Sequence, residues 1–197
     1  MSVFLIRHAD KESGDHYSTS LPLNNQPLSE VGKIKSNNLV PIFLNLDITN
    51  IFVSEYIRTK QTIEAVAYSK NITPIIDSRL NEINIGDTDK LTDEEIKVKY
   101  PKFWQKYLIR NADFRFPNGE SGVEARRRIW DLFCTLDVTK NYILVAHDGI
   151  IRVLLCKIVG IPPYKRHLFK IDLASITICE YLHEFNTWSL VKVNQTL

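Results

Sequence analysis

YILVAHDGIIRVLLCKIVG, residues 142–160, runs from five apolar residues through His147 and Asp148 into a second apolar segment that stops at glycine. YILVA (142–146) is short and unbroken by polar groups, as expected of a strand buried on both faces. GIIRVLLCKIVG (149–160) carries apolar residues at helical spacing and ends on Gly160, the residue type that best closes a helix. A buried strand leading directly into a helix is half of a parallel α/β unit.

The same alternation recurs on both sides of this stretch. SVFLI (2–6) reads as a short strand, and LSEVGKIKSNNLVPIFL (28–44) as an amphipathic helix with Ser29 as its N-cap. NIFVS (50–54) is a strand, YIRTKQTIEAVAYSK (56–70) a helix and PIID (74–77) a third strand. LTDEEIKVKYPKFWQKYLIR (91–110) predicts two short helices broken at Pro101, the first opened by a Thr92–Glu95 capping box. ESGVEARRRIWDLFCTL (120–136) predicts a long helix behind a second box, Ser121 with Glu124. ASITICEYL (174–182) and TWSLVKV (187–193) alternate as a strand pair turning near Asn186. The expected architecture is α/β: a mainly parallel sheet with helices on both faces. Residues 1–197 form one domain, into which about 83–119 are inserted as a small helical cap.

Composition narrows the function classes. Apolar residues make up 44% of 197, enough for a real core. A net charge of +2 and a pI near 8.4 are too mild to predict a nucleic-acid or membrane partner. The densest basic run, Arg126-Arg127-Arg128, lies beside Glu124 and Asp131 in a helical pattern and reads as a solvated face. Cys134, Cys156 and Cys179 are widely spaced among apolar neighbours, as buried thiols in a reducing compartment would be. The N-terminal apolar run is short and cut by Arg7, and no stretch approaches the ~20 apolar residues of a membrane span. The expected location is the cytoplasm. The sequence carries no signal for an oligomeric state.

Ligands of open α/β sheets sit beyond the carboxyl ends of the strands. Arg7 and His8 follow the first strand, Ser54 and Arg58 the second, Glu82 comes soon after the third, and His147 and Asp148 follow YILVA. Singly, each has a structural explanation; their convergence on strand ends points to a site. His8, Asp10, His147 and Asp148 as a metal site is disfavoured, because two arginines on the same rim repel a cation and no H-E-x-x-H or C-x-x-C is present. Ser54 is the one candidate for a serine nucleophile, and G-x-S-x-G is absent; so are the P-loop and G-x-G-x-x-G. Two arginines with two histidines suit a tetrahedral dianion. Arginine offers bidentate donors to phosphate oxygens, and a neutral imidazole is a good phosphorus nucleophile. The residues point to phosphoryl transfer through a phosphohistidine, with neither metal nor cofactor.

These stretches resemble the histidine phosphatase superfamily, the phosphoglycerate-mutase-like proteins. LIRHADKE is similar to their R-H-G-E-T opening, LNNQPLSEVGKIKSNNL (23–39) to D-x-P-L-T-x-x-G-x-x-Q-A, and VSEYIRTKQTIEAV to S-x-L-x-R-[AT]-x-Q-T-A. LNEINIGDTDKLT resembles L-x-E-x-x-x-G-x-W-E-G, FPNGESGVEARRRI resembles P-x-G-E-S followed by Arg, and VAHDGIIRVLLCKIVGIP resembles V-x-H-G-G-x-I-R-x-L-L. Six ordered matches lie between residues 4 and 162. The resemblance implies that His8 is the phosphorylated nucleophile, that Arg7, Arg58 and His147 hold the phosphoryl oxygens, and that Glu82 gives and takes the proton. Asp148, which replaces a glycine beside His147, is expected at the substrate through its backbone N–H, its carboxylate being repulsive if turned inward. Ala9, Asp10-Lys11 and the GDTDK segment also depart from the pattern, near the substrate mouth.

The expected partner is a small phosphorylated metabolite and the expected activity a phosphomonoester phosphatase, as in the broad-specificity and α-ribazole-phosphate branch. Mutase-type phosphoryl transfer and a non-catalytic phosphate-binding module are the alternatives. Lys97, Lys99, Tyr100, Trp104, Tyr107 and Arg110 are the cap's possible substrate contacts, the aromatic ones more simply explained as packing.

Overall fold

A computed structural model describes residues 1–12 and 26–196. Residues 23–25, the start of the segment at 23–39, therefore lie outside the described residues. Six strands form one mixed sheet: β1 (Ser2–Arg7), β2 (Asn50–Val53), β3 (Ile75–Ile76), β4 (Tyr142–Ala146), β5 (Ile176–Leu182) and β6 (Thr187–Gln195), in the order β3-β2-β4-β1-β5-β6. Strands β1 to β4 run parallel; β5 adds antiparallel to β1, and β6 antiparallel to β5. PIID is thus a two-residue edge strand, Ile75 and Ile76, both exposed.

Side chains of β1 and β4 alternate between two cores. Val3, Leu5, Leu144 and Ala146 pack against α6 (Gly122–Phe133) and α7 (Asp148–Ile158) on one face. Phe4, Ile6, Ile143 and Val145 pack on the other against α2 (Val40–Phe43) and α3 (Ile57–Lys70), with α1 (Glu30–Asn37) alongside α3. Burial of both faces explains why these strands read as continuous apolar runs.

The predicted helix at 28–44 is broken. Ser29 caps α1 by accepting from the Gly32 N–H, but the helix stops at Asn37 and restarts as α2, with Pro41 in its first turn, where the missing N–H costs nothing. Between Pro74 and α6 the chain forms two 3₁₀ turns and the predicted helix pair, α4 (Asp93–Lys99) and α5 (Pro101–Ile109). Both capping boxes form. Asn186, at φ 49°, turns β5 into β6.

Two expectations need correction. Cys156 and Cys179 are buried free thiols, whereas Cys134 is exposed: the apolar stripe of α6 runs through Ala125, Ile129, Leu132 and Phe133 to Leu136 and leaves position 134 outside. The basic run is not a uniformly solvated face either. Arg127 is exposed, but Arg128 is half-buried, paired in fork fashion with Glu120 (2.7 and 2.9 Å) and donating to the carbonyls of Arg79 and Glu82. Among the described residues, no helix is long and apolar enough to cross a membrane.

Candidate active site

Parallel register brings the strand exits side by side. Arg7 pairs with Ala146 and Val53 with Val145, so His8, Ser54 and His147 leave adjacent strands at one edge. The His8 N–H donates to the Ala146 carbonyl at 3.0 Å, and the two imidazole centroids are 5.1 Å apart. The exit of β1 is tied to α3: the Ala9 N–H donates to Thr62 Oγ1, whose hydroxyl donates to the Arg58 carbonyl.

His8 Nδ1 lies 2.8 Å from the Ala9 carbonyl. A carbonyl only accepts, so Nδ1 carries the proton and Nε2 keeps its lone pair. Burial, then the charge of Arg58, hold the His8 pKa down at about 3, against 6.5 for a free histidine. His147 is fully buried, and burial followed by Arg58 holds it well below 6.5 as well. Its Nδ1 is 3.1 Å from an Arg58 Nη, and a guanidinium only donates, so Nδ1 is the acceptor and Nε2–H donates to Ser54 Oγ at 2.9 Å. Ser54 Oγ in turn lies 2.9 Å from Thr59 Oγ1, which reaches the Tyr56 carbonyl at 2.8 Å. Ser54 is therefore the orienting partner of His147. The Arg58 guanidinium stacks over Tyr56, 4.6 Å from its centroid, and burial lowers its pKa to about 10.

Glu82 arrives from the opposite side and meets the N-terminus of α7. Its Oε2 accepts from the Gly149 N–H at 3.1 Å, and its Oε1 from the N–H groups of Ile150 (3.1 Å) and Ile83 (2.8 Å). The Gly149 and Ile150 N–H groups are donors that a helix leaves without internal partners. Gly149 permits the approach: a Cβ there would lie 2.7 Å from Oε1. Behind Glu82, Arg128 holds its carbonyl at 3.0 Å.

Asp148 points its carboxylate at arginines, 2.8 Å from Arg152 Nε and 3.7 Å from Arg7 Nη1; burial nevertheless raises its pKa. Arg7 Nη1 also donates to the Ile171 carbonyl at 2.5 Å. Asp10 pairs with Lys35 at 2.8 Å. All five residues expected to act, with Asp148, meet around one cleft of about 840 Å³: Arg7, His8, Arg58, Glu82 and Asp148 line it, and His147 lies directly behind Arg58. Of the six cap residues expected as substrate contacts, Tyr107 and Arg110 reach the cleft. Tyr100 donates to Asp87, and Trp104 stacks on Tyr107, so these two pack. Lys97 and Lys99 do not line the cleft.

Sequence reasoning missed Tyr56, Arg152, Arg166 and the Glu120–Arg128 fork. Arg152 was readable, standing four residues after Asp148 on one helix face. Arg166 was not, because it follows a helix and not a strand.

The buried histidines carry a stability consequence. Below pH 6.5 the unfolded chain binds protons that folded His8 refuses until about pH 3, so stability falls as pH drops through that window. At pH 5 the loss is about 2 kcal/mol for His8, and His147 adds to it in the same direction. Denaturant unfolding at pH 7.5 and pH 5 should show a loss about 2 kcal/mol smaller in His8→Ala; an equal loss in both proteins would contradict the neutral, buried His8.

Comparison with known proteins agrees with the geometry. The sequence profile of the histidine phosphatase superfamily (branch 1) matches residues 3–196. The probable phosphoglycerate mutase GpmB of Yersinia enterocolitica is 28% identical over 188 residues, 92% of this chain and 85% of that one. A putative α-ribazole-5'-P phosphatase from Escherichia coli superposes with a TM-score of 0.81 at 19% identity, covering 99% of this chain and 96% of the other. A mycobacterial glucosyl-3-phosphoglycerate phosphatase superposes at 0.83 with 21% identity, covering 99% of both chains. With the profile matched over nearly its whole length, the chain belongs to branch 1 of the histidine phosphatase superfamily.

Proposed function

We propose that the protein is a phosphomonoester phosphatase working through a phosphohistidine on His8. The observation that carries this reading is the Nδ1 contact of His8 with the Ala9 carbonyl, which leaves Nε2 basic on a cleft lined by Arg7 and Arg58. The Nε2 lone pair attacks phosphorus, the bond to the ester oxygen breaks, and Glu82 gives that oxygen a proton. Water then attacks the phosphoryl group, Glu82 takes its proton, and the P–N bond breaks to return neutral His8. Nδ1–H, held on the Ala9 carbonyl, steadies the positive charge of the phosphorylated ring. Arg7 and Arg58 meet the charge on the equatorial oxygens. His147 orients Arg58 through its Nδ1 lone pair; a substrate that binds as the phosphate monoanion supplies the proton that turns Nδ1 into a donor to the phosphoryl group, the Arg58 N–H then turning to the phosphoryl oxygens. The Asp148 N–H, at the first residue of α7, is a further donor to the substrate, its carboxylate being engaged by Arg7 and Arg152.

The names of structural neighbours, α-ribazole-5'-P and glucosyl-3-phosphoglycerate phosphatases, favour hydrolysis. The probable mutase among the relatives favours phosphoryl transfer as the second reading. Purified protein should release phosphate from p-nitrophenyl phosphate, keep that activity in EDTA because arginines supply the positive charge, and be inhibited by vanadate. Activity lost on chelation and restored by a divalent ion would refute the metal-free mechanism. Interconversion of phosphoglycerates primed by 2,3-bisphosphoglycerate, faster than phosphate release, would establish the mutase.

A further inference from the structure

Arg166 lies in the 3₁₀ turn Pro163–Leu168 after α7, is 8% exposed, and lines the same cleft as His8. Its guanidinium covers the Phe114 ring, 4.9 Å from the centroid, and Nη1 reaches the Pro163 carbonyl at 3.3 Å. Arg110, at the end of α5, also lines the cleft, with its guanidinium over Tyr107. Among the described residues neither has a carboxylate within 4 Å, whereas Arg7 and Arg152 share Asp148. Asp113 acts on Arg166 from farther away, and its Oδ2 is taken by the Val123 N–H. Burial and then the charge of Arg110 both disfavour the Arg166 cation. Asp113 and, more weakly, Glu82 offset part of the cost of burying this guanidinium, but neither pairs with it, and Arg110 adds repulsion; an anion held by both arginines relieves each term.

Resting on the phosphatase reading above, we propose that Arg166 and Arg110 form a second anion subsite of the cleft, so that the substrate is a phosphomonoester bearing a carboxylate or second phosphate at its far end. The cleft volume suits a whole metabolite, not a phosphoryl group alone. Guanidinium forks match either anion. The aromatic floor of Phe114 and Tyr107 fixes the forks in place and keeps the subsite under the cap.

The test compares paired esters: glycerol 3-phosphate with 3-phosphoglycerate, and glucitol 6-phosphate with 6-phosphogluconate and glucitol 1,6-bisphosphate. Wild type should prefer the additionally charged member of at least one pair by on the order of 10- to 100-fold in kcat/KM, the scale of a charged hydrogen bond. Whether the carboxylate or the bisphosphate gains more identifies the anion. In Arg166→Met, which keeps an apolar stem on Phe114, and in Arg110→Gln, the preference should fall to within about threefold, with p-nitrophenyl phosphate hydrolysis little changed. An absent preference in every pair overturns the proposal. So does an Arg166→Met protein that slows all esters by one factor, as Asp113→Asn does, because Arg166 would then serve Asp113. Should Arg166→Met fail to fold, Arg110→Gln carries the same comparison. If no ester is hydrolysed, the phosphatase reading fails by itself, and calorimetric titration of the same pairs into wild type and Arg110→Gln judges the subsite: equal affinities overturn it.

Discussion

His8→Ala is expected to lose essentially all turnover, by a factor on the order of 10⁶, the scale of removing a covalent nucleophile. Among the described residues, His147 is the only other imidazole beside the cleft, and both its nitrogens are engaged, by Ser54 and Arg58. It cannot take over the attack. Arg7 and Arg58 remain in the variant, so binding of phosphate or vanadate should persist while chemistry stops. Wild type quenched in alkali should carry a phosphoryl group that is stable to base and labile to acid, as a P–N bond is, mapping to His8; the variant should carry none. A folded His8→Ala protein retaining a few per cent of activity would refute the covalent route.

Glu82→Gln should show the next largest effect, and it should depend on the leaving group. Alkyl phosphates need a proton on the departing oxygen, and losing it should slow phosphorylation of His8 by about 10²–10⁴-fold. p-Nitrophenolate leaves without that help, so its first step should change little and phosphohistidine should accumulate, because water activation is also lost. The substitution is sterically mild. A glutamine oxygen can still accept from Ile83 and Ile150, with its NH₂ turned to the Gly149 N–H at the loss of one hydrogen bond. Single-turnover rates measured for both ester classes decide the matter. Equal slowing would make Glu82 a helix cap and nothing more.

The candidate cluster was legible because the topology of a parallel sheet puts strand exits together, and His8, Arg58 and His147 announce themselves by position. Long-range tertiary detail was not. Arg128 stands in a basic run that sequence alone assigns to solvent, and only the approach of residues 79–82 to α6 makes it a half-buried fork. Likewise, nothing local distinguishes Arg166, in PPYKRHLF, from a surface arginine; its burial depends on Phe114, fifty-two residues away. The break after Asn37 escaped because the apolar periodicity carries on across it into α2.

Glu82 and Glu120 stand at the two feet of the inserted segment. The Glu120 N–H donates to the Asn84 carbonyl at 2.8 Å, the Asn84 N–H donates back to the Glu120 carboxylate at 2.9 Å, and Arg128 clips both glutamates to α6. Gly119 sits where a Cβ would be 2.3 Å from the Asn84 carbonyl, so the two feet touch backbone to backbone. A loop whose ends are already joined bears only a slowly growing entropic penalty as it lengthens. The span between the feet therefore behaves as an interchangeable cassette. Evolution, or a designer, can swap its helices and aromatic residues to admit a different molecule while Glu82 stays in register with His8, and new specificities can be sampled without moving either residue.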